Sequence, residues 1–222
     1  MAVLTPKRQD ISHPEQIKKY SAGLRLWHWL NAIVITGSLL TVLLDSTLLD
    51  KRQNSDIIQK QLTDAGATVT HEQARSAAHE LSDRVWELHT WFGYILGGLI
   101  VFRLLLEFFQ VADQKFIRKL RSAYSQYQTV KQQRELARHE FWVKTLYAIF
   151  YLMIIIQVAT GLCLAFEDDV PALKAIHAFR EIHSFNMYLI IAFIIVHLAG
   201  VFLAERKDSA GIVSDMINGG RE

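Results

Sequence analysis

Residues 183–197 read His-Ser-Phe-Asn-Met-Tyr-Leu-Ile-Ile-Ala-Phe-Ile-Ile-Val-His, two histidines enclosing thirteen residues without a charge. As an α-helix, this stretch separates His183 from His197 by close to four turns, so both rings point to nearly the same side. At a rise of about 1.5 Å per residue they stand roughly 21 Å apart. The apolar run continues to Ala204. From Ser184 that is about the 20 residues a helix needs to cross a hydrocarbon core roughly 30 Å thick. One histidine therefore lies towards each face of a bilayer.

Three more blocks have the same character: Leu26 to Leu44, Leu88 to Phe109 and Phe141 to Phe166. The chain has 222 residues and is 51% hydrophobic, only slightly above a soluble protein. The distribution carries the signal, because charges crowd the segments between the blocks, whereas a soluble bundle carries charges every few residues on each helix. The three prolines lie outside the blocks, which suits uninterrupted helices with internally satisfied backbones. The fold expected is all-α: one integral membrane four-helix bundle over 1–222, with spans at about 26–44, 88–109, 141–166 and 184–204. The first 23 residues are polar and lack the pattern of a cleavable leader, so the first block is expected to remain as an anchor.

Charge orients the chain. With the N-terminus cytoplasmic, segments 1–25, 110–140 and 205–222 hold fifteen Lys and Arg against nine acids, and segments 45–84 and 167–183 hold seven against eleven. The positive-inside rule then places both termini in the cytoplasm. The basic pI follows from these loops and calls for no nucleic acid. Segment 45–84 reads as a long polar outer loop with a short helix over Thr70 to Asp83, segment 110–140 as an inner loop, and Ile11 to Tyr20 as an amphipathic arm.

Nine histidines occur, four of them in or at the edge of apolar blocks: His28, His89, His183 and His197. An ionisable side chain in a membrane helix is costly and usually functional. Helices two and four enter from outside, so His89 and His183 are outer. Helix one enters from inside, so His28 is inner, level with His197. Two imidazoles facing each other across a bundle form the axial ligand set of a six-coordinate haem iron. The single cysteine, Cys163, excludes a disulfide framework, a cysteine-ligated cluster and covalent haem attachment, so haem is expected to be held non-covalently. Haem propionates need cationic partners, for which arginine is suited. Arg103, fourteen residues after His89 and inside an apolar run, is read this way. Arg25 and Arg180 fit equally well as interfacial anchors. Gly93, Gly97, Gly98 and Gly200 suit either a flat macrocycle or ordinary helix packing. Five tryptophans, mostly at block ends, read as interfacial belts first and haem neighbours second. His139 and Glu140 are candidates for a quinone site, with a plain surface histidine as the other reading. His71 and His79 read as solvated loop residues and His13 as part of the arm. His177, six residues before His183 and off its face, reads as a neighbour of the outer haem or of a partner. Glu87 and Glu107 are assigned no role.

Three segments together resemble the bacterial di-haem membrane cytochromes b: Gly23-Leu-Arg-Leu-Trp-His-Trp-Leu-Asn31, His89-Thr-Trp-Phe-Gly-Tyr94 followed by Arg103, and His183 with His197 and the charged tail from Glu205. The chain most resembles the cytochrome b subunit of membrane-bound nickel-iron hydrogenases and is similar to the gamma subunit of formate dehydrogenase. The resemblance implies two b-type haems, ligated by His89 with His183 and by His28 with His197. It implies a place in the cytoplasmic membrane and electron delivery to quinone. It also implies an iron–sulfur dehydrogenase or hydrogenase partner docked on the outer face. The primary oxidation would belong to that partner, because this chain has no cluster ligands and no catalytic residue of its own is assigned. Two alternatives are carried: a free-standing quinone oxidoreductase with a soluble donor, and a histidine-based ion or metal transporter. The transporter predicts histidines converging near the midplane, against the two-depth pattern.

Overall fold

The structure is a computed structural model that describes residues 20–109, 121, 124–125, 134–206 and 211–219. The arm over Ile11 to Tyr20, apart from Tyr20, and most of segment 110–140 lie outside the described residues. All elements with assigned bounds are helices: α1 (Ala22–Thr47), α2 (Lys51–Asp64), α3 (His71–Phe109), α4 (Arg134–Ala165), α5 (Pro171–Lys174), α6 (Ala178–Arg206) and α7 (Ile212–Asn218). No strand occurs among the described residues. Four stretches are long and apolar enough to cross a membrane: Ala22–Thr47, His71–Glu107, Phe141–Ala165 and Ala178–Arg206. Their large apolar side chains are mostly exposed, among them Ile33, Leu43, Val101, Leu152, Ile195 and Leu198. Exposed apolar surface on that scale belongs against lipid.

Segment 45–84 is not the loop that its polarity suggested. Asp50 caps α2 by accepting the Gln53 N–H at 2.9 Å. Thr70 and Gln73 form a reciprocal capping box, Thr70 N–H to Gln73 Oε1 at 2.9 Å and Gln73 N–H to Thr70 Oγ1 at 3.2 Å. That box starts α3 at His71, and the helix then runs unbroken into the apolar block. Its 39 residues give a length of about 58 Å, nearly twice the hydrocarbon core. The charged first third therefore projects from the membrane. The helix foreseen over Thr70 to Asp83 is the beginning of this span rather than a separate surface element.

The chain divides into two units. The first comprises the described parts of Met1–Trp29 and Leu99–Glu222. Within it α4 and α6 pack along their length. Ile154, Met153, Ile190 and Phe193 are buried, and the Phe150 and Phe193 rings stack at 4.2 Å. Asn186 on α6 donates to the Met153 carbonyl of α4 at 2.8 Å. In an apolar medium such a bond ties helices that have no hydrophobic reason to associate. The connection holds α5 and the pair Lys174–Asp168 at 2.8 Å. The hydrogen bond from Lys174, and then its charge, keep the Asp168 carboxyl below the usual carboxylate range. The short α7 is bounded by the left-handed glycines Gly211 and Gly219. Glu205 caps it by accepting the Gly211 and Val213 N–H groups. Arg25 and Trp29 donate to its last carbonyls, those of Ile217 and Met216.

The second unit is Leu30–Gly98. Here α2 lies beside the start of α3, with His71 near Asp56 at 3.6 Å and Gln59 donating to the Val69 carbonyl. Ala74, Ala78 and Ser82, spaced four apart, form a buried stripe on α3, and Ser82 donates to Asp45. Lower down, α1 and α3 approach at Gly37, where a Cβ would fall 2.6 Å from the Phe92 ring. Gly37→Ala is therefore expected to lower stability by about 1–3 kcal/mol through overpacking. Thermal unfolding in detergent measures this, and Phe92→Leu in the same chain should restore part of the loss.

Candidate functional site

Each of the four apolar-block histidines sits on a span helix and is half-buried: His28 on α1, His89 on α3, His183 and His197 on α6. His28 and His197 belong to the same unit and face one another. Their ring centroids are 6.3 Å apart, with planes at 58°. A ligating imidazole nitrogen lies about 2 Å from its metal and about 1 Å from its own ring centre, so two axial imidazoles on one metal have centroids about 6 Å apart. The observed separation fits a shared iron. The surroundings are aromatic: Phe193 stacks parallel to His197 at 5.8 Å and 6°, Tyr147 meets it edge-on at 6.2 Å, and Trp29 meets His28 edge-on at 5.2 Å. His28 Nδ1 is buried and has no hydrogen-bond partner. Among the described residues no group of three or more His, Cys, Asp or Glu stands together as a bare-metal site. A two-imidazole set suits a metal that brings its own equatorial ligands.

At the other end of α6, His183 is held by α4. Asn186 Nδ2 donates to the Met153 carbonyl, which fixes it as the nitrogen, and also to Gln157 Oε1 at 2.6 Å. Gln157 Nε2 therefore donates to His183 Nε2 at 3.0 Å. Thr160 Oγ1 donates its one proton to the Ile156 and Gln157 carbonyls and so accepts from His183 Nδ1 at 3.0 Å. Both lines of reasoning give the same tautomer: Nδ1 carries the proton and Nε2 the lone pair. An iron on Nε2 would replace the Gln157 amide as its partner. A Cβ at Gly161 would lie 3.0 Å from His183 Cε1, so glycine leaves the ring its place.

His89, in the other unit, is fixed in the same manner by α1. Its Nδ1 lies 3.3 Å from the Ser38 carbonyl, which can only accept, and 2.9 Å from Thr41 Oγ1. The Thr41 proton goes to the same carbonyl at 2.6 Å. Nδ1 is therefore the donor, and Nε2 again carries the lone pair. One turn on, a Cβ at Gly93 would meet no atom within 4 Å, which leaves room on that face for a flat group.

The arginines have distinct partners. Arg103 is buried, donates to Tyr151 Oη and Glu107 at 3.1 Å each, and lies over the Trp27 and Tyr151 rings. Trp27 donates to the Leu99 carbonyl at 2.8 Å and closes the cluster. Glu107, to which the sequence assigned no role, thus balances the charge of Arg103. Arg25, one turn before His28, bonds the Ile217 carbonyl, while its Nε is buried without a partner. Arg180 is exposed and pairs with Glu167 at 3.1 Å. His139 and Glu140 lie on α4, and their side chains fall outside the described residues. His71 and His177 are exposed, and His79 is half-buried.

Ser38, Thr41, Gln157, Thr160 and Asn186 were not singled out by the sequence reading. Their signal was available: each is a polar side chain inside an apolar block, where it needs an interhelical partner. Thr41 and Thr160 are themselves buried.

A family model described as prokaryotic cytochrome b561 matches residues 19–219. No curated protein and no solved structure matches the chain.

The Arg103–Glu107 pair gives a test of the buried cluster. Arg103→Met strands a carboxylate in apolar surroundings and is expected to cost about 3 kcal/mol. The double variant Arg103→Met/Glu107→Leu should recover at least half of that. Thermal midpoints of the two variants in one detergent decide it.

Proposed function

This chain belongs to the prokaryotic cytochrome b561 family, and we propose that it is a di-haem subunit that carries electrons from an outer-face dehydrogenase to quinone. Membrane electron transfer with haem b is the chemistry of that family. The observation that carries the haem reading is the facing pair His28 and His197, at the spacing of two axial imidazoles on one metal. Bound haem b supplies the one-electron carrier chemistry, tuned by its axial ligands and their surroundings.

In this reading His28 and His197 hold the inner haem. His89 and His183 hold the outer one, a pairing that rests on their helix register and entry side. The parallel Phe193 ring and the edge of Tyr147 set the orientation of His197. Arg25 is the strongest candidate for an inner propionate, because a guanidinium nitrogen without a partner lies one turn from His28. Arg103 starts with its charge balanced by Glu107, and Arg180 with its charge balanced by Glu167. A propionate at either one competes with a carboxylate already in place.

The charge distribution supports an orientation with both termini cytoplasmic, in the cytoplasmic membrane. It turns α2 and the projecting third of α3 outwards. These helices form a protein surface above the lipid, suited to an iron–sulfur dehydrogenase or hydrogenase subunit. Quinone as the acceptor follows from the resemblance to the di-haem cytochromes b, and a role for His139 and Glu140 in binding it is read from their place at the inner end of α4 alone.

Single alanine variants of the four histidines test the ligand assignment, read by reduced-minus-oxidised spectra and haem extraction from membranes. We expect two haems per wild-type chain and one in each variant. His28→Ala and His197→Ala should lose the same spectral component, and His89→Ala and His183→Ala the other. Different components lost from His28→Ala and His197→Ala would overturn the pairing.

A further inference from the structure

Three of the histidines differ in what touches Nδ1. His183 Nδ1–H donates to Thr160 at 3.0 Å, and His89 Nδ1–H to Thr41 at 2.9 Å with the Ser38 carbonyl behind it. His28 Nδ1 is buried with no hydrogen-bond partner. Each threonine hydroxyl is itself anchored by donating to a backbone carbonyl of its own helix, Ile156 for Thr160 and Ser38 for Thr41. Its lone pair is therefore aimed at the imidazole, and the acceptor cannot turn away without losing a bond in an apolar medium.

We propose that Thr160 and Thr41 are positioning residues: they hold His183 and His89 as Nδ1–H tautomers and, through those bonds, lower the reduction potential of the haem these two histidines ligate relative to the haem on His28 and His197. The proposal rests on the ligand assignment above. A hydrogen bond from Nδ1–H to an oxygen raises the basicity of the ligating nitrogen. A more basic axial ligand favours ferric over ferrous iron, and second-shell hydrogen bonding is one of the protein's controls on haem potential. Where both ligands carry such a bond, the effects act in the same direction. Around His28 the bond is missing, so the ferrous state is less disfavoured there. The two second shells thus order the potentials, with the His89–His183 haem the more reducing.

The experiment is a spectroelectrochemical titration of the full-length protein in membranes, with haem content measured on each variant. Thr160→Val keeps the shape and removes the acceptor; Thr160→Ser keeps the hydroxyl. We expect Thr160→Val to raise the potential of the more reducing component, enlarging its reduced-to-oxidised ratio about tenfold at fixed ambient potential. That is about 59 mV for a one-electron couple. Thr160→Ser should titrate like wild type. Thr41→Val should shift the same component by less, because the Ser38 carbonyl remains, and it serves as an independent variant if Thr160→Val does not accumulate. Unchanged potentials in both valine variants, while His183→Ala loses a haem, would overturn the proposal and leave the ligand assignment standing. A shift confined to the component lost in His28→Ala would overturn it as well. Retention of both haems in His89→Ala and His183→Ala would instead remove the assignment on which the proposal rests, and the proposal with it.

Discussion

A hydrocarbon core offers no water to a polar group, and most of this molecule follows from that constraint. Backbone groups satisfy themselves within helices. Polar side chains must find partners sideways, on a neighbouring helix or on a carbonyl of their own. Thr41 and Thr160 each donate to a carbonyl of the preceding turn. Asn186 reaches both the Met153 carbonyl and Gln157. Arg103 finds a carboxylate, a phenol and two aromatic faces. Single interhelical bonds of this kind contribute only about 1 kcal/mol each. Leaving one unmade costs more, so the network specifies geometry more than it adds stability.

The same constraint makes imidazole orientation a by-product of polar satisfaction. A buried imidazole needs an acceptor for its one N–H. Once a hydroxyl or carbonyl takes Nδ1–H, Nε2 is left as the nucleophilic nitrogen and the ring plane is set. At His183 and His89 the acceptors are side chains and carbonyls of adjacent helices. At His197 the ring is set by aromatic stacking instead, with Phe150 backing Phe193 and Phe193 backing the imidazole. Packing and hydrogen bonding thus reach a similar result at opposite ends of one helix.

The spans were legible in the sequence because hydropathy reports membrane depth, and the blocks are long. The register of His183 and His197 was legible because a single helix carries both. Helix ends were harder. The apolar blocks 88–109 and 184–204 understate helices that run over His71–Phe109 and Ala178–Arg206. Hydropathy ends where a helix leaves the lipid, whereas helicity ends where capping ends it. The Thr70–Gln73 box marks that point for α3 and was visible only as composition. The Arg103–Glu107 spacing of four is an ordinary helical pair. The spacing alone does not reveal the pair, because a propionate would serve a buried Arg103 equally well. The second shell was hidden for a different reason. Which threonine meets which histidine depends on helix–helix register, and one helix's periodicity does not contain it.

That register explains why α4, which carries none of the four histidines, still shapes both ends of α6. Tyr147 stands at His197, and Thr160 with Gln157 at His183. Tyr147 and Thr160 are thirteen positions apart on α4, against fourteen for the two histidines on α6. The chain order is reversed, so the two helices run antiparallel and stay in step for about 20 Å. Gly161 belongs to the same fit, since its missing side chain is what lets the His183 ring lie against α4. Displacing α4 by one turn would carry Thr160 away from Nδ1 and Tyr147 away from His197 together. The helix that carries no distinctive motif is therefore the one that fixes the azimuth of both rings on α6, and the bond that holds its register, Asn186 to the Met153 carbonyl, lies between those two rings.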